Sequence, residues 1–490
     1  MFCKVMSGIV YGVTGLLIHV EVEMQNGLPY FTMVGHLSRE SKEAKERVIS
    51  ALRSIDAPLP AQRVTINLSP ANLKKSGTAF DFPIGVALLH CMGLIDSKIN
   101  LSEYCVLGEL GLDGMIHSTM QSLPIVLAAK KQGITKFLVS SEDYQRLKDV
   151  EGVMIYPMES LQHVLSFFYS KEVTIPKITQ QQTIKQEAGK LLDFSDVRGQ
   201  SFLKRALEVA VTGRLNLLII GSPGTGKTML CHRLPSILPP LSKEEQLEVD
   251  SIYLASSIYR TNGLYIPPFR MPHHTITQTA LIGGGAIPKA GEITLAHHGI
   301  LYLDELGEFK TNCIEALRVP LEDKSITLTR LGRNYQFPAD IQLIASMNPC
   351  PCGEGFSSDK CRCTPTEKRT YYRKISGPFL DRFDMVLPVI TNDYDTKKGE
   401  SSSIIKERVC KNRNSFNKHI NEVTISKNAM ELLEGQLKNC HISMRGYERI
   451  RKVAKTICIM DGEDKVKATH MIEAMSYRNL DFLNEVILYD

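Results

Sequence analysis

The sequence predicts an α/β protein of more than one domain, and three observations carry that expectation. The chain has 490 residues with 43% hydrophobic content, more than a single core usually organises. An apolar run, Leu217-Leu218-Ile219-Ile220, breaks into Gly221-Ser222-Pro223-Gly224-Thr225-Gly226-Lys227-Thr228, a strand feeding a phosphate loop that opens a helix. A second apolar strand, Gly299-Ile300-Leu301-Tyr302-Leu303, ends on Asp304-Glu305. Strands alternating with helices in this way build parallel sheets covered by helices.

The eight-residue loop carries the chemistry. Its glycines let successive backbone N–H groups curl round phosphates, Lys227 neutralises charge on the β- and γ-phosphates, and Thr228 offers a hydroxyl to Mg²⁺. Asp304 is placed to hold the Mg²⁺ through its shell, and Glu305 to polarise an attacking water. The two motifs together point to hydrolysis of a nucleoside triphosphate.

Composition narrows the setting. A net charge of +5 permits a nucleic-acid partner without requiring one. Twelve cysteines without a secretory segment read as reduced thiols or metal ligands of a cytoplasmic protein. The stretch from Ile9 to Val20 is apolar, but His19, its glycines and the alternation into Glu21-Val22-Glu23 fit a strand pair better than a signal segment. No segment is long and apolar enough to span a membrane.

In chain order, residues 1–170 form a separate α/β domain, with strands near Val13 to Met24 and Arg63 to Leu68 and helices over Ser38 to Ser54, Asp81 to Met92 and Leu123 to Gln132. Residues 171–190, rich in Gln, Lys and Thr, are a linker. The nucleotide core follows over 191–392, with a Cys-rich insertion at 350–363, and a helical domain occupies 393–490, its periodicity clearest from Ile425 to Tyr489.

Several stretches resemble known families. Gly108-Glu109-Leu110-Gly111-Leu112-Asp113-Gly114 through Leu127-Ala128-Ala129, with Lys75-Ser76-Gly77-Thr78-Ala79-Phe80-Asp81, resembles the Lon-type proteolytic domain, a ribosomal S5 domain 2-like α/β fold. On that pattern the nucleophile position falls on Ala79 and the base position near Leu123, neither of which can do nucleophilic chemistry. The resemblance therefore implies a non-proteolytic relative; a protease using Ser76 or Ser122 with Lys74 or Lys75 is the alternative.

The core resembles AAA+ ATPases. Asp196-Val197-Arg198-Gly199-Gln200 resembles their adenine-bordering segment, and Asn348 in Ala345-Ser346-Met347-Asn348-Pro349 their polar sensor of the γ-phosphate. In Ser376-Gly377-Pro378-Phe379-Leu380-Asp381-Arg382-Phe383-Asp384, Arg382 resembles the arginine finger inserted into a neighbouring subunit, and Arg445 in Ser443-Met444-Arg445-Gly446 the second sensor on the helical lid. A planar, permanently charged guanidinium suits the transition-state charge on a transferring phosphoryl. The resemblance implies ATP with Mg²⁺ and a homo-hexameric ring.

Phe269-Arg270-Met271-Pro272-His273-His274-Thr275, Leu281-Ile282-Gly283-Gly284-Gly285, Ala290 to Gly299, Arg318-Val319-Pro320-Leu321-Glu322-Asp323 and Asn348-Pro349-Cys350-Pro351-Cys352-Gly353 are similar to the Mg-chelatase-like AAA+ family known as ComM or YifB, over nearly the whole chain. That resemblance implies a helicase or branch-migration motor on single-stranded or branched DNA, in natural transformation or recombination. A chelatase-like motor that remodels a protein partner is the alternative, since the motor motifs are shared.

Three further features complete the reading. Cys350-x-Cys352 and Cys361-x-Cys363, with eight residues between the pairs, are four soft thiols suited to tetrahedral Zn²⁺. The pairs His273-His274 and His297-His298 lie in loops without a nearby acidic run and read as hydrogen-bonded, not metal-binding. Lys324, Arg330 and Arg333 lie in Lys324-Ser325-Ile326-Thr327-Leu328-Thr329-Arg330-Leu331-Gly332-Arg333, whose alternation suggests a hairpin; the resemblance to ring helicases, in which the hairpin before the first sensor enters the pore, implies that these cations are the candidate contact to DNA phosphates.

Overall fold

The structure, a computed structural model, describes residues 1–36, 38, 43–75, 77–170, 192–258, 260, 265–330, 332–355, 360–389, 399–439 and 443–478. The expected linker at 171–190 and Ser76 lie outside these residues. The chain divides into two compact units, residues 1–185 with 250–260 and residues 186–249 with 261–490.

The first unit is built on a seven-stranded sheet. Its strands are β1 (Phe2–Tyr11), β2 (Thr14–Gln25), β3 (Tyr30–Val34), β4 (Arg63–Ser69), β5 (Tyr104–Leu107), β6 (Lys136–Ser140) and β7 (Met154–Met158), in the order β3-β4-β2-β1-β5-β6-β7. β1 and β2 pair antiparallel from Phe2 with Glu23 to Tyr11 with Thr14, so the apolar stretch from Ile9 to Val20 is a hairpin. Gly12 takes φ +68 at its two-residue turn, a conformation that glycine adopts without strain. Among the helices that cover the sheet are α1 (Ala44–Ser54), α2 (Asp81–Cys91) and α3 (Ser122–Lys131). Helix α1 begins later than the Ser38 start read from sequence; residues 39–42 lie outside the described ones. Every residue of α2 is buried, as its all-round apolar sequence demands. Arg47 of α1 pairs with Asp81 at the head of α2, and burial pushes the Asp81 carboxyl up to about 6 against that cation's opposite pull.

The second unit carries a five-stranded parallel sheet, β8 (Leu217–Gly221), β9 (Phe269–Arg270), β10 (Ile300–Leu303), β13 (Gln342–Met347) and β14 (Met385–Val389), in the order β9-β10-β13-β8-β14. Between β10 and β13 in sequence stands an antiparallel hairpin of β11 (Ser325–Arg330) and β12 (Arg333–Pro338). Its helices include α4 (Ser201–Gly213), α5 (Lys227–Cys231), α7 (Pro365–Arg373), α8 (Ser402–His419), α9 (Met444–Met460) and α10 (Ala468–Ser476), while α6 (Lys243–Ala255) runs across the unit boundary. Strands buried on both faces read as continuous apolar runs, and all five residues of β8 are buried. The C-terminal helices share one core with this sheet: Val409, Ile450, Val453, Ile457 and Met471 pack in the cluster that holds Leu217, Ile219, Tyr302 and Met385. Helices α4 and α9 approach so closely at Gly213 that a Cβ there would stand 2.8 Å from the Thr456 hydroxyl. Among the described residues no helix is long and apolar enough to cross a membrane.

Candidate nucleotide site

β8 delivers the phosphate loop to the C-terminal edge of the parallel sheet, the side on which open α/β sheets bind ligands. Gly224 and Gly226 both take φ +79, where a side chain would be strained, and α5 begins at Lys227. Residues 223–229 line a cavity of about 460 Å³ together with Asp304, Glu305, Ser346, Met347 and Asn348. The loop, the acidic pair and the sensor asparagine, read from three separate stretches, thus face one cavity because β8, β10 and β13 are neighbours with their C-terminal ends aligned.

Lys227 is 7% exposed; its Nζ donates to the carbonyls of Gly221 at 2.6 Å and Ser222 at 2.8 Å, and burial lowers its pKa from the ordinary lysine value. The Thr228 hydroxyl donates to Asp304 Oδ2 at 3.0 Å. The two oxygens expected to share a hydrated Mg²⁺ therefore stand side by side, a donor set of hydroxyl and carboxylate that fits this hard cation. The other carboxylate oxygen of Asp304 accepts from the Ser346 hydroxyl, which in turn accepts from the buried Tyr302 hydroxyl at 3.1 Å. Sequence reasoning missed this orienting relay. Its trace was the strand alternation, which puts Tyr302 on the face of Asp304 and Ser346 on the face of Asn348.

Glu305 takes φ +54, a sparsely populated conformation for a side-chain-bearing residue, and its Oε2 lies 3.2 Å from His274 Nδ1. The sequence suggests only a hydrogen-bonding role for His274, and the fold seats it beside the water-polarising candidate. The second histidine pair is hydrogen-bonded as expected. His297 Nδ1 accepts from the Asp340 backbone N–H at 3.0 Å, which assigns the ring proton to Nε2, directed at Glu248 Oε2 3.3 Å away. His298 Nε2 meets the same oxygen at 2.7 Å. A neutral ring that accepts at one nitrogen and donates at the other has no lone pair for a metal, so His297 acts in this Glu-His-His group as a structural tie.

The two arginines lie elsewhere. Met385 pairs with Leu217 and Val389 with Gly221, so Arg382, just before β14, stands at the N-terminal edge of the sheet, about 13 Å of strand away from the loop. Neither Arg382 nor Arg445 lines the cavity. Arg382 is 7% exposed, its guanidinium paired with Glu322, so it is held within its own chain where a finger is expected to project. Arg445 is exposed in the first turn of α9, whose cap Ser443 reaches Asp381 at 3.5 Å; it shares that far edge and does not close over its own phosphate loop. The hairpin forms where the sequence suggests it. Arg330 and Arg333 are paired across its turn, but Lys324 lies at its foot, 3.3 Å from Asp340, because it caps the preceding helix in a left-handed conformation.

The thiols of Cys350, Cys352, Cys361 and Cys363 all lie within 4.8 Å of one another, with Sγ–Sγ separations of 3.3 Å for Cys350–Cys352 and 3.8 Å for Cys361 with each of these two. Tetrahedral Zn²⁺ with Zn–S near 2.3 Å requires sulfurs about 3.8 Å apart, so the set fits the ion. In the first unit, the Ser122 hydroxyl donates to the buried Asp143 carboxylate at 2.7 Å, and Lys75, fully buried, donates to the Pro70 carbonyl.

A parallel sheet with a phosphate loop, an oriented acidic pair and a polar sensor on one edge defines a P-loop ATPase of the AAA+ class. The magnesium chelatase subunit ChlI model matches residues 193–397, a further ChlI model residues 20–143 and the ChlI C-terminal model residues 399–478. The chain is 36% identical to competence protein ComM of Haemophilus influenzae over 489 residues, covering 95% of each, and 40% identical to YifB of Escherichia coli over 497 residues, covering 96% of each. It is 24% identical to the DNA helicase MCM8 of Bos taurus over 219 residues, 45% of this chain and 23% of that protein. The chain belongs to the ComM/YifB family of magnesium-chelatase-like AAA+ proteins.

Proposed function

We propose that the protein is the subunit of a cytoplasmic homo-hexameric ring that hydrolyses ATP to move along single-stranded or branched DNA, as a helicase or branch-migration motor in transformation or recombination. The observation that carries this reading is the β11–β12 hairpin. It leaves the ATPase core immediately before β13, the strand that ends on the Asn348 sensor, and bears Arg330 and Arg333 beside its turn. A nucleotide-dependent change at Asn348 thus has a direct covalent path to two cations suited to phosphates. The names of the relatives, a competence protein and a DNA helicase, support the same substrate.

In the site, Lys227 and the loop amides bind and orient the phosphates, Asp304 is held in register by Ser346 and Thr228, and Glu305 takes up a proton from an attacking water. Bound Mg²⁺ supplies charge that neutralises the developing phosphate oxyanions. The four-thiol set is a zinc site with a bracing role.

The test is ATP turnover with and without single-stranded, duplex and branched DNA, in the parent and in an Arg330→Ala/Arg333→Ala/Lys324→Ala variant. DNA stimulates the parent, more weakly as salt rises, and the variant keeps basal turnover while losing both stimulation and junction migration. A parent that neither binds nor responds to any DNA form at low salt excludes the DNA motor and leaves the protein-remodelling alternative. Junction migration by the variant at the parent rate excludes the hairpin.

A further inference from the structure

Gly353, in the turn that carries Cys350 and Cys352, lies directly against the phosphate loop. A Cβ placed on it would stand 2.7 Å from both Cδ and Cγ of Pro223, and Gly353 itself takes φ +85. Glycine is thus required there twice over, by its backbone and by the neighbouring ring. On its other side the same turn is continuous with the cavity wall, since Asn348 and Pro349 lead straight into the buried Cys350. The second pair of thiols is anchored separately. Cys361 and Cys363 precede α7, whose start is fixed by a capping box of Thr364 and Glu367. Tyr372 of that helix donates to the Pro349 carbonyl at 2.6 Å, and the Tyr371 hydroxyl faces the Asn348 backbone.

We propose that zinc at Cys350, Cys352, Cys361 and Cys363 is thermodynamically coupled to nucleotide at the phosphate loop. Resting on the zinc reading above, the metal ties the strand exit after β13 to the head of α7, and the Gly353 turn it fixes is the outer wall against which Pro223 sits. The first pair sits in a turn closed by the Gly353 N–H on the Cys350 carbonyl at 3.0 Å. A metal that cross-links this turn to the second pair pre-pays the ordering that nucleotide binding demands of Pro223 and Asn348. Because linkage is reciprocal, zinc raises nucleotide affinity by the same factor by which nucleotide raises zinc affinity.

The experiment measures both sides on the full-length protein. Metal content is determined first, then the Kd for a fluorescent ATP analogue before and after zinc removal by a chelator, and the rate of zinc loss to a chromogenic chelator with and without ATP and Mg²⁺. Removing zinc is expected to weaken analogue binding by about tenfold, and nucleotide to slow zinc loss, within the range usual for coupled sites. Gly353→Ala, which keeps all four thiols, should retain about one zinc per chain yet bind the analogue several-fold more weakly, and Pro223→Ala in the same chain should recover much of that loss by removing the ring the new methyl meets. Absence of zinc from protein prepared without chelator overturns the zinc reading and the coupling together. Zinc present, with analogue affinity and zinc release each indifferent to the other ligand, overturns the coupling alone. Equal weakening in Gly353→Ala with and without Pro223→Ala also counts against it, since backbone strain at Gly353 would then account for the whole effect.

Discussion

Lys227 and Glu305 face the same cavity, and the proposed mechanism gives them different stages of the reaction, which single substitutions separate. Lys227→Ala removes a charge-assisted contact of roughly 1.5–3 kcal/mol, so nucleotide Kd should rise by about one to two orders of magnitude, read by titration with a fluorescent analogue. Glu305→Gln keeps the shape and the His274 neighbour at 3.2 Å but removes the proton acceptor; it should bind ATP normally and lose about 10²–10⁴ in kcat. Near-normal turnover in that variant would remove Glu305 from the role of polarising water. The relay from Tyr302 through Ser346 holds the Asp304 carboxylate beside the Thr228 hydroxyl.

At the scale of elements, the tie between α6 and the strand that follows His298 is sensitive to acid. Hydrogen bonds from His297 and then His298 hold the Glu248 carboxyl well below its usual range, and burial lowers His297 below the ordinary histidine value of 6.5. Both folded-state values are depressed, so the unfolded chain binds more protons and stability falls as pH falls. For His297 the contribution is complete above 6.5 and is lost below it. The other charged groups facing the cluster are Glu245 and Asp340, the latter paired with Arg214 and Lys324. His297→Asn retains an acceptor for the Asp340 N–H and cannot be protonated. Its melting temperature should therefore fall less than the parent's between about pH 7.5 and about pH 5.5, by a few degrees on the usual scale of ~2–4 °C per kcal/mol for large domains. An identical fall in both proteins would place the acid sensitivity elsewhere.

At the scale of the whole molecule, the phosphate loop and Arg382 occupy opposite edges of one sheet. An arginine there reaches a phosphate only if that phosphate belongs to a neighbouring subunit, and its Glu322 pair must open for it to do so. The partner left behind, Glu322, is 56% exposed, so Arg382→Ala should fold and bind nucleotide while losing about 10³–10⁵ in turnover. Mixed in equal amounts with Lys227→Ala, it should regain activity at about a quarter of interfaces, those where an intact loop meets an intact arginine in a closed ring. No recovery at any mixing ratio would exclude action between subunits.

By itself the sequence determined what is local. The loop from Gly221 to Thr228, the Asp304-Glu305 pair at a strand end, the β1–β2 hairpin and the close spacing of four cysteines were legible because consecutive residues carry the strand period, the glycine turns and the ligand types. The strand order β9-β10-β13-β8-β14 was not legible, and everything that depends on it came from the tertiary structure. It brought Ser346 to Asp304 and His274 to Glu305, seated Gly353 on Pro223, and placed Arg382 and Arg445 on the edge away from the loop. The physical reason is that contacts between distant segments are set by which strands become neighbours and by how their ends align, and neither is written in the residues at any one position.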